Sequence, residues 1–179
     1  MRQIARLLQR REASLYAHVA SKEELLAAIV DRAAARFQAV ADAALAREAP
    51  AADRLREIVR GHVAVITEDP AAAAVYLSEW RHLTGERRQL VLARRDAYEA
   101  AVRRVVAQGI AEGAFRPVDV AGAVRALLCA LNGVASWYRA DGPAGAGEIA
   151  NLHADLFLHG LVAEGSANGR GQDPRRKDP

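Results

Sequence analysis

The sequence predicts an all-α protein. Hydrophobic residues make up 51% of the 179 residues but aromatic residues only 5%, and alanine is abundant, a composition that favours packed helices over sheets. Apolar side chains recur at spacings of three and four residues, and no segment shows the period-two alternation of a strand. Capping and helix-breaking residues mark the boundaries. A chain of this length forms one compact domain or one domain with a small appendage.

The first long helix is predicted from about Lys22 to about Arg47. Ser21, followed three residues later by Glu24, forms a capping box, and neither glycine nor proline interrupts the segment. Pro50 suits the first turn of a second helix. The apolar face of that helix comprises Leu55, Ile58, Val59, His62, Val63 and Ile66.

Two more helices are predicted in the middle of the chain. Asp69 and Pro70 end the second helix and begin a shorter one that runs through Trp80. Thr84 is expected to cap the next helix, and Gly113 to end it. One side of that helix carries Val91, Tyr98, Val102, Val105 and Gly109.

The last part of the chain predicts a leucine-rich helix, a loop and a terminal helix. Asp119 caps the first, residues 139–147 are rich in glycine and proline, and the terminal helix runs from about Glu148 to Ala163. That helix is apolar nearly all round, so we expect a partner subunit to cover it. The stripe of the leucine-rich helix comprises Val124, Leu127, Leu128, Leu131, Val134, Ala135 and Tyr138.

Basic charge is concentrated at the two ends of the chain. Residues 1–22 carry five basic side chains and one acidic side chain, and residues 166–179 carry four basic side chains and two acidic ones. Because the whole chain has a net charge of +3, the body between them is slightly acidic. A basic end of this kind suits either a nucleic-acid contact or a solvated helix face.

Catalytic and metal-binding patterns are absent from the sequence. It has no Gly-rich phosphate loop, G-x-S-x-G or H-E-x-x-H motif, and His153 and His159 do not share a helix face. We therefore expect no enzyme activity, metal or cofactor. The single cysteine, Cys129, is predicted to be a buried thiol. No apolar run reaches the length of a membrane span and no secretory signal is evident, so a cytoplasmic protein without membrane contact is expected.

The segment before Ser21 has the layout of a helix-turn-helix, in which two short apolar pieces precede a long third helix. The stretches "IA" at 4–5, "ASLYAHV" at 13–19 and "SKEELL" at 21–26 resemble the DNA-binding segment of TetR/AcrR-family transcriptional repressors. The resemblance implies a homodimer that reads a palindromic operator in double-stranded DNA and binds a small molecule in its C-terminal domain. It divides the chain into a partial helix-turn-helix domain with its connecting helix (1–47), an effector-binding and dimerisation domain (48–164) and a disordered tail (165–179).

Matched position by position, the resemblance implies which side chains contact DNA. An arginine binds guanine through two hydrogen bonds, and a helix N-terminus favours phosphate. For Tyr16 the alternative is a core ring with its hydroxyl in solvent. The implied contacts are Arg11, Glu12 and Ser14 to base edges, and Tyr16, His18 and Lys22 to phosphates.

Two features depart from the family pattern. Gln9 and Arg10 stand where the family usually has glycine and then a small apolar residue, and a non-glycine at positive φ is strained by about 1 kcal/mol. Met1 falls inside the family's second helix. We expect that the first helix is encoded upstream or has been lost. In the latter case, the alternative function is a dimeric helical ligand-binding protein that no longer binds operator DNA.

The body resembles a particular TetR subgroup, which responds to acyl-CoA thioesters and controls fatty-acid or steroid catabolism. The similar segments are "YLSEWRHLTGERRQLVLARRDAYEA" (76–100), "GAFRPVD" (113–119) and "LNGVASWYRADGP" (131–143). Candidate effector-binding residues are His62, Trp80, Tyr98 and Asn132, and core packing is the alternative for the first three. Five arginines are candidates for CoA phosphates or simply a solvated helix face: Arg81, Arg87, Arg88, Arg94 and Arg95.

A two-fold interface of four helices is predicted from the last two helices. The alternative for Trp137 is that it closes the core of a single subunit. The function expected from the sequence is a repressor that an apolar effector releases from its operator by shifting the long helix that begins near Lys22. The predicted interface residues are Trp137, Tyr138, Leu152, Leu156, Phe157 and Leu161.

Overall fold

The computed structural model describes residues 21–162, and that part of the chain is all-α, as predicted. Its single β-type contact is an isolated bridge between Phe115 and Val162. The elements are α1 (Lys22–Ala46), α2 (Ala51–Glu68), α3 (Pro70–Ser78), a 3-10 helix (Glu79–His82), α4 (Gly85–Ala111), α5 (Val120–Trp137) and α6 (Ala146–Leu161).

Side-chain caps begin three of the helices where the sequence predicted them. The Ser21 hydroxyl accepts a hydrogen bond of 3.1 Å from the amide of Glu24 at the start of α1. The Asp69 carboxylate accepts from the third residue of α3 at 3.1 Å, and the Asp119 carboxylate accepts from two amides of α5. These acceptors satisfy amides that have no partner inside the helix.

Two predicted helix starts need correction. Pro50 occupies the N-cap position of α2 instead of its first turn. Thr84 occupies the N-cap of α4 but its side chain does not cap the helix. Its hydroxyl donates instead to the Glu23 carboxylate of α1 at 3.2 Å, which joins the two helices.

The second helix, α2, is the centre of the domain, because α1, α3, α4, α5 and α6 all pack against it. Its predicted apolar face, from Leu55 to Ile66, is buried. At Gly61 the backbone of α2 lies very close to α1, because a Cβ there would lie 2.5 Å from Cγ1 of Val40. Only glycine permits this approach.

The α5 helix corrects two expectations. Its core face is formed by Val124, Leu127, Leu131 and Val134, whereas Cys129 is exposed. The prediction of a buried thiol is wrong because residue 129 lies about 200° round the helix from residue 127. Within 21–162, the 18-residue α5 is also long and apolar enough to cross a membrane by length and composition, contrary to the expectation from the sequence, although a core helix of a soluble protein meets the same criteria.

The final helix, α6, packs chiefly against α2 and starts two residues earlier than predicted. Its buried side includes Ala154 and Leu158. The prediction that it has no polar side is wrong, since Asp155 accepts a 2.6 Å hydrogen bond from Arg56 and Asn151 is bonded to an arginine of α2. These polar contacts fix which face of α6 meets α2.

Candidate effector cavity

A buried polar pair lies where four helices meet. His62 of α2 is only 2% exposed, and its Nδ1 lies 3.0 Å from the hydroxyl of Tyr98 on α4. Phe37 of α1 and Tyr76 of α3 complete the surroundings. The ring centroid of Phe37 is 4.7 Å from His62, 5.1 Å from Tyr76 and 5.8 Å from Tyr98.

Burial keeps this pair uncharged. It lowers the pKa of His62 to about 3; the Asn132 side chain opposes the shift, and the positive charges of Arg95 and His153 add to it. Burial also raises the pKa of Tyr98 above its ordinary value. Neutral imidazole has one donor and one acceptor nitrogen. Nε2 is buried and has no hydrogen bond of normal geometry among the described residues, while the side chain of Asn132 lies close enough to raise the pKa of His62.

A cavity of about 210 Å³ adjoins the pair. Both His62 and Tyr98 border it, and α5 contributes Asn132, Leu128 and Cys129. The walls therefore combine apolar rings and leucines with a few polar groups, as small-molecule sites do. The remaining lining residues are Phe37, Tyr76, Leu77, Leu92, Arg95, Asp96, Glu99 and Arg125.

Trp80 lies beside this cavity and not on its wall. Its ring is buried, and three arginines lie over it. The distances from guanidinium carbon to ring centroid are 5.1 Å for Arg81, 5.9 Å for Arg88 and 5.3 Å for Arg95. Arg95 also lies 5.3 Å from the centroid of Tyr76, so it connects the Trp80 cluster to the cavity.

Three of the four predicted effector residues thus come together at one cavity: His62, Tyr98 and Asn132. The sequence interpretation missed Phe37 and Tyr76. Phe37 lies in the alanine-rich α1, where a single large ring among small residues was the available signal. Tyr76 lies within a segment quoted for its resemblance, but its short helix has no clear apolar period.

A second, larger groove of about 510 Å³ lies beside the first turns of α1. Leu25, Leu26 and Ile29 form its apolar wall, and Lys22 stands at its end. None of its lining residues in 21–162 has a buried polar side chain, so this lining offers less for orienting a ligand than the smaller cavity.

Among the predicted DNA contacts, only Lys22 falls within the described part of the chain. It is exposed and is the first residue of α1. The other five residues, Arg11, Glu12, Ser14, Tyr16 and His18, lie outside the described residues, and so does the tail.

The predicted interface residues form a partly exposed apolar surface on α5 and α6. Trp137 is 52% exposed, Leu152 58% and Leu156 64%, so Trp137 does not close the core of this subunit. Tyr138 and Phe157 are half-buried, whereas Leu161 belongs to the core.

Comparison with known proteins identifies the class of this helical domain. Residues 48–161 match the family described as tetracyclin repressor-like, C-terminal domain. The chain therefore belongs to the TetR family of transcriptional regulators. None of the curated proteins compared with the chain matches it.

Solved structures of TetR regulators are similar over most of the chain. The regulator PfmR from Thermus thermophilus is 35% identical, with 87% of this chain and 85% of that chain covered and a TM-score of 0.79. AibR in complex with isovaleryl coenzyme A and operator DNA is 26% identical (86% and 84% covered, TM-score 0.74). The ketosteroid regulator KstR2 of Mycobacterium tuberculosis is 28% identical (91% and 84% covered, TM-score 0.78).

Proposed function

We propose that this protein is a ligand-responsive transcriptional repressor, released from its operator by a small apolar effector of the acyl-CoA type. The observation that carries the proposal is the small cavity in the body of a TetR-family chain, bordered by the buried pair of His62 and Tyr98 and by Asn132.

The proposed effector class rests on two supports. AibR, which is similar over most of its length, is known in complex with isovaleryl coenzyme A. The cavity of about 210 Å³ is smaller than the roughly 300–1,000 Å³ of sites for drug-sized ligands. It therefore suits a short acyl group better than a long one, with a carbonyl oxygen that accepts a hydrogen bond from His62 or Asn132.

Operator binding is proposed for the basic N-terminal segment, with Lys22 at its boundary meeting phosphate. Two such segments would be held in register by dimerisation through α5 and α6. Paired heads bind a palindromic operator when their separation matches one turn of DNA, about 34 Å.

Transmission between the two functions is proposed to run from α4 to α1. Arg95 and Tyr98 of α4 border the cavity. The same helix is bonded to α1 through Arg94 and Asp31, at 3.0 Å, and through the Thr84 hydroxyl described above. A ligand that displaces α4 therefore acts on α1 and changes the separation of the paired heads.

A gel-shift experiment tests the proposal with the full chain and DNA from upstream of its own gene. We expect sequence-specific retardation that isovaleryl-CoA abolishes, whereas dodecanoyl-CoA, which is too long for the cavity, and free CoA leave it in place. Absence of retardation would contradict the repressor function. Retardation that no acyl-CoA alters would contradict the proposed effector, and release by dodecanoyl-CoA alone would contradict the short acyl group.

A further inference from the structure

Three arginines around Trp80 lack the acidic partners that their neighbours have. Arg81, Arg88 and Arg95 all lie within 6 Å of the indole centroid, and none forms an ion pair with any residue in 21–162. Guanidinium groups stack favourably on an aromatic face. Among the described residues, no carboxylate pairs with these three positive charges.

The preceding residues on α4 show the opposite arrangement. Arg87 lies 4.0 Å from Glu24, and Arg94 lies 3.0 Å from Asp31. Residues 87 and 94 are seven apart and so share one face of α4, whereas 88 and 95 form an adjacent stripe about 100° away. One stripe is thus neutralised by α1, and the other is left with its positive charge.

The carboxylates nearest in sequence do not neutralise the second stripe. Glu79 precedes Trp80, but its oxygens contact His82 at 3.5 Å and the Ser78 hydroxyl at 3.2 Å. Asp96 follows Arg95 and borders the cavity, yet no ion pair joins it to an arginine among the described residues. The local field around Trp80 is therefore positive.

The ring itself also has an unmet hydrogen bond. Nε1 of Trp80 is buried and has no acceptor among the described residues. Indole nitrogen is solely a donor, and a buried donor without an acceptor is costly. An anion seated among the three guanidinium groups brings acceptor oxygens to the neighbourhood of the same ring.

The cluster is continuous with the cavity. Arg95 borders the cavity and lies over both Tyr76 and Trp80. A molecule with an apolar end in the cavity and a phosphorylated end outside it would therefore pass Arg95 and reach Arg88 and Arg81.

We propose that Arg81, Arg88 and Arg95 form a phosphate-binding site against Trp80, which holds the pyrophosphate of an effector whose acyl end occupies the cavity. The proposal deepens the proposed function and rests on it for the identity of the effector. Arginine suits this role because its planar group forms paired hydrogen bonds to phosphate oxygens.

Isothermal titration calorimetry of the full chain tests the site without DNA. The probes are inorganic pyrophosphate and isovaleryl-CoA. In the double variant Arg88→Gln/Arg95→Gln we expect both to bind at least about tenfold more weakly, because charged hydrogen bonds are lost. The control is Arg104→Gln, an exposed arginine of α4 that has no ion pair within the described residues and should leave both affinities unchanged.

A second variant guards against misfolding. Arg81→Gln/Arg88→Gln leaves Arg95 on Tyr76, and its binding should weaken similarly while its thermal unfolding matches wild type. Equal affinities in wild type and in both double variants, or no pyrophosphate binding by the wild type, would overturn the site. The gel-shift experiment tests the proposed function separately: that function fails if acyl-CoA does not alter the retardation of operator DNA.

Discussion

At the scale of single residues, the angular position on a helix decides which side chains of an apolar stripe are buried. His62 and Cys129 both lie on helices with strong apolar stripes, yet His62 is buried and Cys129 is exposed. The difference is angular, since His62 lies on the stripe itself and Cys129 two positions away from it. The angular distance of a residue from the apolar stripe therefore predicts its burial better than the apolar character of its sequence neighbours does.

Burial of His62 predicts a specific pH dependence of stability. Its pKa is about 3 in the folded state and 6.5 when exposed, so the unfolded state binds an extra proton between those values. The stabilisation is complete above pH 6.5 and falls as the pH drops towards 3. Lowering the pH from 7.5 to 5.5 should cost about 1 kcal/mol of unfolding free energy through this residue alone.

Urea unfolding at fixed protein concentration measures this effect. The His62→Gln variant, which keeps a polar group near Tyr98, should lose that part of the pH dependence. His82→Gln serves as the control, because His82 is exposed on the 3-10 helix and its variant should retain the wild-type difference. An unchanged pH dependence in His62→Gln would show that His62 is not buried as described.

At the scale of helices, replacing a glycine by alanine is expected to lower the stability where another element lies close to the backbone and to raise it where the space is open. A Cβ at Gly109 of α4 would lie 2.3 Å from the buried ring of Phe115, whereas one at Gly147 of α6 has nothing within 4 Å. We expect Gly109→Ala to destabilise by about 1–3 kcal/mol and Gly147→Ala to stabilise by up to about 1 kcal/mol. Chemical denaturation of both variants checks the signs, and a stabilised Gly109→Ala would contradict this packing.

Helix-level features were predictable to differing degrees. The starts of α1, α3 and α5 followed from Ser21, Asp69 and Asp119, because caps act within a few residues, whereas α3 ends at Ser78 and not at the predicted Trp80. Thr84 could not be judged in this way, since its hydroxyl is engaged by Glu23, sixty-one residues away. The cavity was predictable only in part: stripes indicate which residues face inward, but not that Phe37 packs against both His62 and Tyr76.

The ion pair between α4 and α1 predicts that one substitution can weaken operator release without weakening effector binding. Arg94→Gln removes the pair with Asp31, whose groups are partly exposed, so stability should fall by no more than about 1 kcal/mol. If α4 transmits effector binding, isovaleryl-CoA should still bind, but its effect on operator affinity should shrink by about threefold or more. Calorimetry and gel shifts measure the two quantities, and Arg104→Gln is the control. Full release in Arg94→Gln would exclude this route.

At the scale of the whole molecule, the apolar surface of α5 and α6 predicts self-association. A glutamate at Leu156 would place a charge at the centre of the proposed interface, and we expect the dimer dissociation constant to rise at least about hundredfold. Leu90→Glu is the control, since Leu90 is also exposed but lies on α4. Sedimentation measures both masses, and a wild-type mass for Leu156→Glu would contradict the interface.

The tight contact between Gly61 and Val40 has a mechanical consequence. Val40 lies eighteen residues along α1 from Lys22, a lever arm of about 27 Å at 1.5 Å per residue. If α1 tilts about this contact, as the proposed release requires, a rotation of about 5° displaces Lys22 by about 2 Å. A larger side chain at position 61 would push Val40 away from α2 and so remove the close contact about which such a tilt would turn.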